Sequence, residues 1–336
     1  MGGRHTLEGV LIDPIGGCRE GALAIEDGLI ADVEERAVSS ALRIFPGFVD
    51  LQVYDPSSLA ATGVTGYLQA AQAPVETDDP LCLGLHLEGP FLNTEAAGAI
   101  PAEKLLPVDL RLLAEWLDRG DVRLVTIAPE LEGGLDAVAL VAARAVAAIG
   151  HTLANAAVTR AAIEAGARFA THAWNAVKPL RARETGPMST LLLDDRVVLG
   201  LIADGRHLHP SVEALTVRTA GPARIALTSD RVAEPLTREH RLAGGSRSGA
   251  ELVRKFARFG LQEAAQMASL VPATVLGLGD RGRLAPGFRA DLAVLDEDLR
   301  PLETIVAGET VWALRYPETR ELDEIPPSTH APGSGA

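Results

Sequence analysis

Between residue 46 and residue 230 the chain repeats one local pattern: a short apolar run, a turn, a helical stretch, then the next apolar run. Eight runs can be picked out, at Phe48–Val53, Gly66–Ala70, Cys82–Leu87, Val122–Ala128, Val146–Gly150, Phe169–His172, Val197–Ala203 and Ile225–Thr228. Strand-like runs alternating with helical segments call for a parallel sheet, because a parallel pair needs a crossover between its strands. The helical segments read as Leu110–Arg119, Gly134–Ala147, Asn155–Ala165, Val212–Thr219 and Ala250–Phe259. Eight strands in this alternation predict an α/β fold of the (β/α)8 type, a TIM-like barrel, with a doubly wound open sheet as the alternative. The segment from Tyr54 to Thr65 is short for a crossover helix, so the first unit is expected to be reduced.

The two ends of the chain have a different character. Leu7–Ile12, Gly21–Glu26 and Gly28–Glu34 are strand-like runs joined by glycine-containing turns, and Ala290–Leu295 and Ile305–Leu314 resemble them. Neither end can bury a core alone. The expected division is a small β-sandwich domain from residues 1–45 with 280–316, and a barrel from residues 46–279. Residues 317–336 are rich in Pro, Ser and Gly and are expected to be a disordered tail.

Composition narrows the function classes. A hydrophobic content of 47% describes a globular protein with a large core, and the apolar runs are too short to span a bilayer. The N-terminus lacks a basic-then-apolar signal pattern, so a cytoplasmic location is expected and no membrane association. Cys18 and Cys82 lie far apart and form no metal motif. A formal net charge of −14 argues against nucleic acid as a partner, since phosphate neutralisation needs a basic face. A small anionic substrate stays possible, because a local cationic cluster can outweigh the global sign.

The chemistry-bearing residues gather where the runs end. The third run closes in His86-Leu87-Glu88, the fifth in His151, the sixth in His172, the seventh leads into Asp204-Gly205-Arg206-His207-Leu208-His209, and the eighth ends before Ser229-Asp230. Of the 8 histidines in the chain, these segments hold most. In a barrel of this type, the C-terminal strand ends form the active-site face. One carboxylate and two imidazoles make a three-ligand metal site with a position left open, the arrangement of catalytic sites. A free carboxylate beside such a site suits a general base that later acts as acid, and Asp230 fits that role. Asn175, Ala176 and Arg183 follow the sixth run, where backbone N–H groups and a guanidinium could hold an anion.

These residues stand in segments that resemble the N-acetylglucosamine-6-phosphate deacetylase branch of the amidohydrolases. The matching stretches are P-G-F-V-D-L-Q at 46–52, L-G-L-H-L-E-G-P-F-L at 83–92, V-T-I-A-P-E at 125–130, G-H-T at 150–152, A-T-H-A-W-N-A-V at 170–177, L-I-A-D-G-R-H-L-H-P at 201–210, L-T-S-D at 227–230, P-A-T-V-L-G-L at 272–278 and G-R-L-A-P-G-F-R-A-D-L-A-V-L-D at 282–296. The resemblance implies Glu88, His151 and His172 as ligands of one divalent metal ion, with zinc first and iron, cobalt or manganese as alternatives. It implies Asp230 as catalytic acid/base, and Asn175, Ala176, Arg183 and His207 as the grip on a sugar 6-phosphate. The implied reaction is hydrolysis of the 2-acetamido group to glucosamine 6-phosphate and acetate, in a homodimer. The sequence also departs from the family. Ile100 stands where a histidine usually contacts the substrate amide carbonyl, and Gln52-Val53-Tyr54-Asp55 replaces the family's Gln-x-Asn-Gly. A lost donor of that kind costs roughly 2.7–4 kcal/mol of transition-state stabilisation. These departures keep two other readings open: an amidohydrolase with a different N-acyl or cyclic amide substrate, and a non-catalytic sugar-phosphate-binding relative.

Overall fold

A computed structural model describes residues 4–237 and 242–314. The stretch read as a disordered tail lies outside the described residues. The chain opens with strands β1 (His5–Asp13), β2 (Gly17–Glu26), β3 (Leu29–Glu35) and β4 (Arg43–Pro46). It then enters the barrel strands β5 (Phe48–Val53), β6 (Val64–Ala71), β7 (Cys82–Glu88), β8 (Val122–Ile127), β9 (Val146–Ile149), β10 (Phe169–Ala170), β11 (Val198–Ile202) and β12 (Ile225–Thr228). Strands β13 (Leu292–Leu295), β14 (Pro301–Val306) and β15 (Glu309–Ala313) close the description.

The eight barrel strands are parallel neighbours in chain order, β5 to β12. All six residues of β5 are buried, as are the last four of β7 and of β11. Strands covered on both faces read as continuous apolar runs, which is why this part of the sequence was legible. The ring closes between its last and first strands: Val53 forms a parallel bridge with Arg231, and the amides of Tyr54 and Asp55 both donate to the Arg231 carbonyl at 2.9 Å. Closure removes exposed sheet edges.

Helices α1 (Leu110–Leu117), α2 (Gly134–Ala142), α3 (Ala156–Glu164), α4 (Met188–Leu193) and α5 (Pro210–Ala220) separate the later strands. Their starts are chemically marked. Asp109 accepts from the amides of Arg111 and Leu112, and Asn155 from that of Val158. His209 accepts from the Ser211 amide ahead of a proline at the first turn of α5. His209 is therefore a helix cap, which accounts for its place beside the His207 segment. The helix expected over Gly134–Ala147 stops at Ala142, because Val146–Ile149 is needed to pair with β8. The reduced first crossover is a single 3-10 turn, Ala60–Thr62.

Both termini contribute to a second, seven-stranded sheet in the order β15-β14-β13-β4-β1-β2-β3, antiparallel except where β1 meets β4. The run Ile305–Leu314 is split within it into the hairpin β14–β15, turning at Ala307-Gly308. Leu11, Leu23, Ile25, Ile44, Leu292 and Ile305 form its apolar core. This sheet passes directly into the barrel through Gly47. A side chain there would put its Cβ 2.2 Å from Thr65 Oγ1, so only glycine lets β4 and β5 follow without a loop. After the barrel, α6 (Ala250–Phe256), α7 (Leu261–Ala265) and α8 (Val271–Val275) lead back to the small sheet, with a π-helical turn at Gln266–Leu270 between the last two. Among the described residues no helix is long and apolar enough to cross a membrane.

Candidate active site

At the C-terminal ends of the barrel strands lies a cavity of about 420 Å³. Glu88, His151, His172 and Asp230 all reach it, from the ends of β7, β9, β10 and β12. Chain segments more than 140 residues apart in sequence meet here only because the barrel closes. His151, His172 and Asp230 share an unusual backbone: φ is 48°, 28° and 47°, in the left-handed region that non-glycine residues rarely enter. Each is the second residue after its strand ends, where the turn out of the sheet aims its side chain into the cavity.

The side chains converge on one carboxylate oxygen. Glu88 Oε1 lies 3.0 Å from His151 Nε2 and 2.8 Å from His172 Nε2, and the two imidazole nitrogens are 3.0 Å apart. The rings meet edge to face, 4.8 Å between centroids at 78°. His151 is fixed through its other nitrogen, Nδ1, at 2.8 Å from the Ala96 carbonyl, which makes Nδ1 a protonated position and leaves Nε2 facing the cluster. Two imidazole nitrogens and a carboxylate oxygen, all within 4.8 Å of one another and all buried, form an acceptor-rich cluster. Within the group there are too few protons to satisfy every atom, and a divalent cation fits the donor set, with Glu88, His151 and His172 as the residues that could hold it. Two buried atoms facing this region, His172 Nδ1 and Gln52 Oε1, have no hydrogen-bond partner among the described residues.

Electrostatics distinguish the two acids of the site. Burial pushes Glu88 up, but the hydrogen bonds from His151 and His172 outweigh it and hold its carboxyl well below the usual range. Asp230 has no imidazole hydrogen-bonded to it among the described residues; its carboxyl is held by Gln52. Burial, with the charges of Glu88, Asp50 and Asp204 added, pushes its carboxyl well above the ordinary value. Two carboxyl groups with opposite shifts in one cavity are the pattern of a fixed anion beside a proton-transfer group. They are bridged by Gln52, whose Nε2 donates to Glu88 Oε1 at 2.9 Å and to Asp230 Oδ1 at 3.0 Å. His86 is buried below them, between the Leu51 carbonyl at 2.9 Å and Thr126 Oγ1 at 2.7 Å, and burial lowers its pKa to about 4. It is a neutral core histidine, not part of the cluster.

The other sequence-selected residues divide. Asn175, Ala176 and His207 line the same cavity. The loop carrying Asn175 is held by two backbone bonds, Thr152 N to Ala176 O at 3.1 Å and Lys178 N to Thr152 O at 3.0 Å, and by Trp174 Nε1 donating to Thr216 Oγ1 at 2.9 Å. His207 Nδ1 sits 3.0 Å from Asp204 Oδ2. Arg183 is exposed and does not line the cavity. Residues that sequence reasoning did not select also enter: Tyr54, Gln72 and Lys104 line the cavity, and Glu130 anchors its wall by accepting from Asn93 Nδ2 at 2.9 Å and the Leu153 amide at 2.6 Å. Ile100 lines it too, with no donor to offer.

Known proteins resemble this chain in sequence and fold. Residues 134–312, over half of the chain, match the Amidohydrolase family. The N-acetylglucosamine-6-phosphate deacetylase of Bacillus subtilis (strain 168) is 32% identical over 271 residues, covering 72% of this chain and 67% of the relative. The chain belongs to the N-acetylglucosamine-6-phosphate deacetylase family of amidohydrolases. The N-acetylgalactosamine-6-phosphate deacetylase of Shewanella sp. (strain ANA-3) is 33% identical, over 72% of this chain and 69% of its own. In structure, the chain resembles an aspartate-to-alanine mutant of the Mycobacterium smegmatis N-acetyl-D-glucosamine-6-phosphate deacetylase in complex with N-acetyl-D-glucosamine-6-phosphate. The TM-score is 0.84 at 29% identity, over 92% of this chain and 99% of that one. A deacetylase of this family therefore carries Ile100 and Tyr54 within its cavity wall.

Proposed function

We propose that the protein hydrolyses the acetamido group of N-acetylglucosamine 6-phosphate, releasing acetate and glucosamine 6-phosphate. The observation that carries this reading is the Glu88–His151–His172 cluster with Asp230 tied to it through Gln52, inside one cavity of a family member. Glu88, His151 and His172 would hold a divalent ion, taken here as zinc, with iron, cobalt or manganese also suited to this donor set. Such an ion, when bound, lowers the pKa of a water molecule towards neutrality and polarises a carbonyl.

The chain's own groups do the rest. Asp230, buried beside the cluster, takes a proton from the attacking water and delivers it to the amine nitrogen as the C–N bond breaks. Gln52 holds the Asp230 carboxyl at Oδ1 and Glu88 at Oε1, fixing the distance between the anionic and proton-transferring groups. Asn175, the Ala176 backbone and His207, which line the cavity, would hold the phosphate end of the sugar, and Arg183, exposed outside the wall, would have to reach in to join them. Lys104, an ammonium on the cavity rim, adds a local cation in a chain of net charge −14. We take the enzyme to work in the cytoplasm as a homodimer.

A second reading has a specific basis. The galactosamine-epimer deacetylase is as similar to this chain as the glucosamine one, and Ile100 places an apolar side chain in the cavity wall. Acetate release from N-acetylglucosamine 6-phosphate, its galactosamine epimer and both unphosphorylated sugars, with metal analysis of the same sample, separates the readings. The proposal expects the highest kcat/KM on N-acetylglucosamine 6-phosphate and a large loss without the phosphate. A preference for the epimer favours the second reading, and no acetate from any of the four by metal-loaded protein overturns both.

A further inference from the structure

The two oxygens of Glu88 have different surroundings. Oε1 faces His151, His172 and Gln52. Oε2 is turned the other way and accepts a hydrogen bond from the hydroxyl of Tyr54. That hydroxyl is itself held: Gln72 Nε2 donates to it at 2.8 Å, and Gln72 lies just past the end of β6, the strand next to β7. The chain of contacts runs from Gln72 through Tyr54 to Glu88, and from Glu88 through Gln52 to Asp230. Tyr54 is itself placed by the barrel closure, since its amide donates to the Arg231 carbonyl next to Asp230.

We propose that Tyr54 is a positioning residue that clamps Glu88 so that it can offer a metal ion only one oxygen. A carboxylate free to turn can bind a cation through both oxygens, and the second oxygen would occupy a coordination position. With Oε2 engaged by a phenol that is fixed by Gln72, Oε1 alone points into the cluster with the two imidazoles. Three single-atom protein donors leave positions open for water and the substrate carbonyl, as catalytic rather than structural sites require. Partners of metal-ligating groups commonly matter by about 10–100-fold in affinity or activity. The inference rests on the metal reading of the cluster and goes beyond it by assigning the residue that sets the carboxylate's binding mode.

The test uses the full-length protein loaded with cobalt, whose visible absorption weakens as coordination number rises. Wild-type protein is expected to bind cobalt and give intense visible bands. Tyr54→Phe removes only the hydroxyl, and should keep the wild-type cobalt-to-protein ratio while the bands weaken at least twofold and kcat falls about 10-fold or more. Gln72→Leu leaves Tyr54 in place and loosens it, and should move the spectrum in the same direction by less. It also supplies the test if Tyr54→Phe fails to fold. Unchanged spectra in the folded variants overturn the clamp, even if activity falls. A wild-type protein that takes up no cobalt overturns the metal reading itself, and is distinguishable because the variants are then irrelevant to the result.

Discussion

Gly150 tests whether the barrel interior positions the site. It is the residue between β9 and His151. A Cβ added there would lie 2.7 Å from Thr126 Cγ2, closer than carbon atoms pack, and 3.0 Å from Thr171 Cβ, a tight contact. Neither neighbour is free to withdraw: Thr126 Oγ1 bonds to His86 Nε2 at 2.7 Å and to Thr171 Oγ1 at 2.7 Å. Gly150→Ala is therefore overpacking in a rigid layer, expected to cost about 1–3 kcal/mol. For a barrel of this size that is roughly 2–4 °C of Tm for each kcal/mol. Part of the strain should relax by displacing His151, so metal binding should weaken beyond what stability alone explains. The closest contact is with the Thr126 methyl group. Thr126→Ser deletes that methyl and keeps the hydroxyl, so the double variant should recover a substantial part of the loss. Thermal unfolding of the four proteins, with metal titration of each, forms a double-mutant cycle. A Tm for Gly150→Ala within a degree of wild type, or a double variant no better than the sum of the singles, refutes the reasoning.

Three further outcomes follow from the site. Asp230→Asn should lower kcat by about 10²–10⁴ while leaving metal content unchanged, as elemental analysis and steady-state kinetics would show. His172→Ala should lose most bound metal, whereas Arg183→Ala should keep it and raise KM for phosphorylated substrate only; equal metal content in both proteins contradicts the assignment. Burial pushes Asp204 up, but bonds from the His207 ring and the amides of Arg206 and His207 outweigh it and bring its carboxyl down to about 2. A depressed carboxyl stabilises the fold above its unfolded pKa near 4, and that contribution, about 2 kcal/mol, is lost as pH falls towards 2. Asp204→Asn should accordingly show a flatter loss of stability than wild type between pH 4 and 2, measured by denaturant unfolding.

The eight barrel strands were legible because parallel strands buried on both faces carry continuous apolar runs. That Glu88, His151, His172 and Asp230 would share one cavity was legible for the same reason: a barrel of this kind gathers its strand ends on one face. What escaped was contact between distant segments. Tyr54 registered only as a departure from a motif, since nothing in the sequence says that a residue 34 positions before Glu88 donates to it. Gln72 carries no signal at all, being a polar residue after an apolar run. Arg183 follows Asn175 and Ala176 in sequence but stands exposed outside the cavity wall. The Gly134–Ala147 segment was overextended because alanine-rich sequence suits a helix, and only pairing with β8 decides where the helix stops.

The left-handed backbone at His151, His172 and Asp230 was equally invisible, and it bears most on how the site is built. Such conformations cost of order 1–3 kcal/mol each and persist only where the surroundings over-determine them. Here each of the three carbonyls is captured. The Asn93 amide donates to His151 O at 3.1 Å, the Asn175 amide to His172 O at 2.9 Å, and the Gly245 amide to Asp230 O at 2.8 Å. The three donors come from the loops after β7, β10 and β12, the same loops that wall the cavity. Those bonds leave the turn geometry little freedom, so the cavity loops and the inward aim of the reactive side chains are one mechanical unit. A change in the packing of these loops therefore acts on the orientation of His151, His172 and Asp230 as well as on the shape of the cavity.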